Sequence, residues 1–173
     1  SGAEIVVIDD FNGVLLDDKE IASLKNGKTE YVWEALDKTD NAGKDYVYEV
    51  KESSILENYT KVEEGLTVTN TYVSPLIDVT GKKVWVGGSE VKPTIELQLY
   101  RNGVLLEGKE TASLKNGETE YTWEKLDKTD FNGVDYVYTV REVNTPRNYR
   151  KSEQSLTVTN TYVSPETNIT DVK

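Results

Sequence analysis

The chain contains no cysteine and no histidine. Without cysteine there is no disulfide to staple a small domain, and no thiolate for catalysis or metal binding. Without histidine the usual general base near neutral pH and the commonest transition-metal ligand are both gone. Basic charge is scarce too: 20 Lys and Arg face 31 Asp and Glu, a net −11. That balance argues against nucleic acid, whose binding needs basic patches to displace counterions. No apolar run is long enough to span a bilayer, and no charged-then-apolar leader is present, so membrane insertion is not expected. Nor does any segment keep apolar residues at i, i+3, i+4 and i+7 over two turns, which leaves no helix to expect.

What the chain does have is repetition, at a spacing of 90 residues over a length of 173. Ser23-Leu24-Lys25-Asn26-Gly27 returns as Ser113 to Gly117, and Leu36-Asp37-Lys38-Thr39-Asp40 as Leu126 to Asp130. Leu66 to Pro75 returns letter for letter as Leu156 to Pro165. A period this long is too large for a solenoid unit and suits a small β-sandwich. A domain of that size buries only about two-thirds of its unfolded surface, so it is marginal without a staple. The expected division is 1–74, 75–164 and a tail, 165–173, that begins the first strand of a further repeat. One stretch does not come twice: Gly81-Lys82-Lys83-Val84-Trp85. Its counterpart for the first repeat would lie before Ser1, so that repeat is expected to lack its first strand.

Period-2 alternation then predicts the strands. Asp9-Asp10-Phe11-Asn12-Gly13 signals a turn after the β-branched Ile5 to Ile8. Thr94 to Tyr100 places Ile95, Leu97 and Leu99 on one face, and Asn102-Gly103 is a hairpin-type turn into Val104-Leu105-Leu106. Glu120 to Trp123 forms a strand with Tyr121 and Trp123 together, matched by Tyr31 and Trp33. Leu126 to Asp130 with Asn132-Gly133 reads as a polar connection. Its carboxylates miss the spacing of a calcium loop and lack the distal bidentate Glu, so it reads as a turn and no metal or cofactor is expected. Tyr136, Tyr138, Val140 and Glu142 share a face, and Tyr149 lies in a connection leading to the last strand, 155–162. There Leu156, Val158, Asn160 and Tyr162 face inward, opposite a wet face of Thr157, Thr159 and Thr161. Both domains are expected to be all-β, with about seven strands each.

The opening stretch, treated the same way, puts Ile77, Val79, Gly81, Lys83 and Trp85 on one face. The second repeat therefore aims three polar side chains at one core: Lys83, Glu142 and Asn160, each from a different strand. A strand lysine is ordinarily solvated, and a carboxylate or an amide near a strand end can serve a turn. Three such residues on apolar faces of one small domain point to chemistry between them.

Lys83-Val84-Trp85, then Tyr138 to Glu142 with Pro146 and Tyr149 beyond, then Val158 to Tyr162 resemble the Cna B-type repeats of Gram-positive surface adhesins and pilins. The resemblance covers Ile77 to Tyr162 and, without the first strand, Ile5 to Tyr72. It implies tandem Greek-key β-sandwiches, Ig-like or prealbumin-like. It also implies an intramolecular isopeptide bond between Lys83 and Asn160, assisted by Glu142 as a buried acid. In the first repeat Glu52 and Asn70 match Glu142 and Asn160, but the matching lysine is absent. Lys173 of another copy is one source for it: ungapped, Lys173 aligns with Lys83, whereas matching Asp171-Val172 to Asp78-Val79 aligns it with Thr80.

The chemistry suits the residue types. Burial disfavours both charged forms, so a neutral amine can face a protonated carboxylic acid. The amine attacks the Asn160 carbonyl while Glu142 hydrogen-bonds that oxygen and moves protons, and ammonia leaves. This is one turnover of the protein on itself, not an enzyme in the usual sense. The expectation is a stalk or spacer pair from an extracellular, cell-wall-anchored adhesin of a Gram-positive bacterium. The alternatives are a module that binds a host ligand directly, and an assembly module that exchanges strands with neighbouring copies.

Overall fold

Alternating apolar residues in short runs, separated by Gly- and Asn-bearing turns, produce strands throughout. The structure, a computed structural model, describes residues 3–9, 14–16, 18–25, 27–54 and 56–172. The turn expected at 9–13 and the position of Lys173 fall at least partly outside them. The chain divides into unit 1, Ser1–Val73, and unit 2, Ser74–Lys173. The division comes one residue earlier than expected because Ser74 serves unit 2: its Oγ accepts the N–H of Thr129 at 2.9 Å.

Unit 2 is a two-sheet sandwich of β7 (Leu76–Val86), β8 (Ile95–Arg101), β9 (Val104–Leu105), β10 (Ala112–Leu114), β11 (Glu120–Asp127), β12 (Tyr138–Glu142), β13 (Tyr149–Gln154) and β14 (Thr157–Tyr162). One sheet runs β11-β7-β14-β13; the other runs β10-β8-β12, with β9 on β8. The inward faces of both meet in one core that includes Leu97, Trp123, Val140 and Val158. Leucine and valine side chains fully buried in this way contribute about 1.5–3 kcal/mol each.

Three details differ from the sequence reading. Residues 149–154, expected as a connection, form β13; YRKSEQ has no apolar alternation because it is an edge strand held by main-chain pairing to β14. Residues 112–114 form β10, too short to show a period. Leu126 and Asp127 belong to β11, where a register shift between Trp123 and Leu126 lets Leu126 return to the core. The acidic turn after it is self-contained: Asp130 Oδ1 accepts the N–H groups of Asn132 and Val134, both at 2.9 Å.

Unit 1 has six strands among the described residues: β1 (Ala3–Asp9), β2 (Val14–Leu15), β3 (Ala22–Leu24), β4 (Tyr48–Glu52), β5 (Tyr59–Glu64) and β6 (Thr67–Tyr72). Its β1, β2, β3 and β4 make one sheet, the match of β8, β9, β10 and β12. The second sheet is reduced to the hairpin β5-β6. Residues 30–34, expected as a strand on the strength of Tyr31 and Trp33, form none. The cause is a missing partner: β11 exists by pairing with β7, and no match to β7 occurs among the described residues of unit 1. The tail is not a strand either; residues 163–172 have no regular structure and are exposed.

Candidate functional site

In unit 2 the site is built where β7 lies parallel to β14, with Lys83 opposite Val158 and Asn160 opposite Trp85. Lys83 and Asn160 are thus same-face diagonal neighbours, a separation a lysine side chain spans easily. Glu142 comes from β12, in the facing sheet. All three side chains turn into the core, as the alternation predicts: Lys83 and Glu142 are each 3% exposed and Asn160 is 0% exposed.

Glu142 is the hub. Lys83 Nζ donates to its Oε2 at 2.9 Å, and Asn160 Nδ2 donates to its Oε1 at 3.1 Å. The expected contact was to the Asn160 carbonyl. The structure puts the amide nitrogen there instead, because a carboxylate can only accept and only Nδ2 has protons to give. Asn160 Oδ1 is left buried without a hydrogen-bond partner among the described residues. Such an orphan costs about 1–3 kcal/mol.

Burial pushes the Lys83 amine below the ordinary lysine value; the contact with Glu142 opposes this, and the nearby Lys151 adds to it. The Trp85 ring lies 4.3 Å from Lys83 Nζ and closes the site on one side. Tyr149 meets that ring edge-on at 5.0 Å. Gly88 is required here: at φ +79°, a Cβ on it would come 2.2 Å from the Tyr149 hydroxyl.

Two further residues were not singled out from the sequence. Glu153 Oε1 accepts the main-chain N–H of Glu142 at 2.9 Å, and Lys151 Nζ donates to the Glu142 carbonyl oxygen at 3.0 Å. Lys151 and Glu153 are themselves paired at 2.9 Å. Together they clamp the backbone of Glu142. The signal was present as a Lys-x-Glu spacing in both repeats, Lys61 and Glu63 being the other.

Unit 1 reproduces the clamp. Lys61 donates to the Glu52 carbonyl and Glu63 accepts the Glu52 N–H, both at 2.8 Å. Glu52 is buried at 5% exposure, whereas Asn70 is only half-buried. Glu52 Oε1 accepts from Ser54 Oγ at 3.1 Å. Glu52 Oε2 is buried with no hydrogen-bond partner among the described residues.

A profile described as the Cna protein B-type domain matches residues 5–71 and 79–161. A protein called collagen adhesin from Staphylococcus aureus is 32% identical over 179 aligned positions, covering 95% of this chain and 14% of its own length. The chain therefore spans a small part of that relative. A crystal structure of two B repeat units of the collagen binding protein of S. aureus superposes with a TM-score of 0.59 at 22% identity. It covers 94% of this chain and 44% of that one, a likeness of fold.

Proposed function

Because the chain belongs to the Cna protein B-type domain family, we propose that it forms stalk or spacer repeats of a cell-surface adhesin, with a Lys83–Asn160 isopeptide bond in unit 2. The observation that carries this reading is the buried Lys83–Glu142–Asn160 cluster joining the first strand of unit 2 to its last.

The reaction begins with a proton passing from Lys83 to Glu142, which turns a buried ion pair into a buried neutral pair. Loss of both charges is what a desolvated site favours. Glu142 then carries the donor that Asn160 Oδ1 lacks, and turning the amide over brings the two together and polarises the carbonyl. Lys83 Nζ adds to Asn160 Cγ, Glu142 passes its proton to Nδ2 and takes the second proton from Nζ, the Cγ–Nδ2 bond breaks and ammonia leaves, with Glu142 left protonated. A secondary amide remains. The event happens once per molecule, so the chain is not an enzyme acting on outside substrates.

The topology explains what such a bond is for. β7 and β14 lie side by side and parallel, so tension entering at the start of β7 and leaving at the end of β14 shears one against the other. A covalent link between them carries that load in place of hydrogen bonds. It closes a span of 77 residues (160 minus 83), worth about 4.5 kcal/mol on the chain-entropy treatment used for disulfides. It also needs no thiol in a chain without cysteine. The place this implies is extracellular, on the wall of a Gram-positive cell, next to neighbouring repeats.

The test is the intact mass of the chain beside Glu142→Ala and Asn160→Ala variants. The parent is expected lighter than its sequence by one ammonia, and each variant at full mass. A parent at full mass overturns the crosslink. Saturable binding of a host matrix protein to this chain alone overturns the spacer role in favour of direct ligand contact.

A further inference from the structure

Set beside β5, the strand β13 keeps one face and changes the other. Tyr149, Lys151 and Glu153 stand where unit 1 has Tyr59, Lys61 and Glu63. The residues that alternate with them all differ: Arg150, Ser152 and Gln154 stand for Thr60, Val62 and Glu64. The kept face is the one from which the Lys–Glu pair reaches the buried acid. Stability alone is a weak reason to keep it. Both side chains of the Lys151–Glu153 pair are 28% exposed, and an ion pair of that kind contributes about 1 kcal/mol at most.

The arrangement of the sheets supplies a stronger reason. Lys83 and Asn160 are fixed against one another by the parallel ladder of β7 and β14. Glu142 stands in the other sheet, where no ladder of main-chain hydrogen bonds sets its register against them. In the β13–β14 ladder Lys151 lies opposite Asn160, and Glu153 opposite Val158. From those places the two side chains cross to the carbonyl and the N–H of Glu142. They therefore tie the main chain of the acid to the strand beside Asn160. The Val140 N–H makes a similar tie, donating to the Ser155 carbonyl at 3.0 Å. The Lys–Glu pair carries it on to residue 142, where β12 ends. In unit 1, Lys61 and Glu63 lie opposite Asn70 and Val68 and hold Glu52 in the same way.

We propose that Lys151 and Glu153 are positioning residues for the Lys83–Asn160 crosslink: through the main chain of Glu142 they fix where its carboxyl meets both reacting side chains. An error of about 1 Å in such a placement costs roughly a hundredfold in rate. Loss of the tie should therefore leave a domain that folds but joins slowly. Lys151 adds a second contribution, since its ammonium helps to hold the Lys83 amine below the ordinary lysine value. That is the direction a nucleophilic amine needs.

This inference rests on the crosslink proposed for unit 2, and one set of variants tells the two failures apart. The full chain and its variants are expressed side by side, their intact masses are followed from harvest over several days, and urea unfolding is measured for each. The parent is expected to lack one ammonia completely at harvest. Glu153→Leu removes the acceptor and Lys151→Met the donor. Each should leave a large fraction at full mass, which shrinks on standing. Glu153→Gln and Lys151→Arg keep the hydrogen bonds and should restore complete joining. Leu126→Ala is the control for stability. Leu126 is 2% exposed and pairs with Ile77, near the other end of β7 from Lys83. Its removal should lower the urea midpoint at least as much as either clamp variant, yet leave joining complete. Complete joining in Glu153→Leu or in Lys151→Met overturns the assignment for that residue, while the crosslink itself stands. Incomplete joining in Leu126→Ala to the same degree overturns it for both, because the loss would then follow stability and not position. A parent at full mass overturns the crosslink reading and this inference with it.

Discussion

The two repeats carry the same glutamate and asparagine on matching strands, with the same Lys-x-Glu clamp behind the glutamate, and yet their interiors differ. In unit 2, Val158 and Asn160 are fully buried and Trp123 is 2% exposed. Their matches Val68, Asn70 and Trp33 are only partly buried. One strand accounts for the whole contrast. β7 sits in the middle of its sheet, so it supplies a pairing edge to β11, another to β14, and the floor on which Trp123 and Val140 pack. Its match is not among the described residues of unit 1, and there the strand matching β11 does not form. The sheet made of β1, β2, β3 and β4 is untouched, because it never contacts that strand through hydrogen bonds. Sandwich sheets are thus separately nucleated but jointly buried.

Lys83→Ala is the harshest way to push unit 2 toward unit 1. It leaves Glu142 buried with Oε2 unpartnered, as Glu52 Oε2 is among the described residues, and removes the proposed crosslink. Against an uncrosslinked chain that keeps the Lys83–Glu142 pair, this loss is roughly 3–5 kcal/mol; against a crosslinked parent the covalent contribution is lost as well. Asn160→Ala removes the crosslink but keeps the Lys83–Glu142 pair, so it should cost less. Urea unfolding of the two variants measures the difference directly. Equal losses would show that the ion pair contributes nothing beyond the bond, and the comparison between repeats would have to be redrawn.

Much of this was legible before any coordinates. The inward set Ile77, Val79, Gly81, Lys83 and Trp85 follows from period-2 alternation because β7 is central, with one face on a core and the other in water. Glu142 and Asn160 were placed inward by the same rule. The rule fails at β13, whose YRKSEQ is held by main-chain pairing at an edge and needs no apolar face. It fails at Leu126, because a bulge resets the count. It fails again at Tyr31 and Trp33, where the local pattern is that of a strand but the partner is not available. Strand formation is a property of pairs, and a single-strand pattern cannot report the absence of the other member. The clamp escaped notice for a different reason: Lys151 and Glu153 act on the backbone of Glu142, and no side-chain pattern records which main-chain groups need partners.

Gly81→Val is the next perturbation in size. The added Cβ meets Val140 Cγ1 at 2.9 Å and Trp123 at 3.0 Å, and overpacking of that kind costs about 1–3 kcal/mol. The backbone at this position needs no special φ, so the effect is purely steric. The added volume should separate β7 from β12 enough to misplace Glu142 against Asn160. The expected readout is a mixed population by intact mass, part with and part without the ammonia deficit, together with a lowered urea midpoint. A uniform, fully crosslinked product would show that the site tolerates a shift of its floor.

The smallest expected effect sharpens the comparison where the repeats agree. Glu153 is held below the ordinary carboxylate pKa: burial pushes it up, but Lys151 and the Glu142 N–H outweigh that. Glu63 is lowered by the hydrogen bond from Lys61 and then by the Glu52 N–H. A carboxylate whose folded pKa lies below its unfolded value, about 4.3, releases protons more readily in the folded state. Its stabilisation is complete above the unfolded pKa and drains away as pH falls through the folded one. Both side chains are partly exposed, at 28% for Glu153 and 19% for Glu63, so each contribution should stay below about 1 kcal/mol. Glu153→Gln and Glu63→Gln should therefore flatten the acid limb of unfolding between neutral pH and pH about 3 by similar small amounts. Similar losses mean the clamp holds the glutamate backbone without a β7-type strand beside it. A loss confined to Glu153→Gln would mean the opposite: that β7, not the clamp, sets the geometry of the acid.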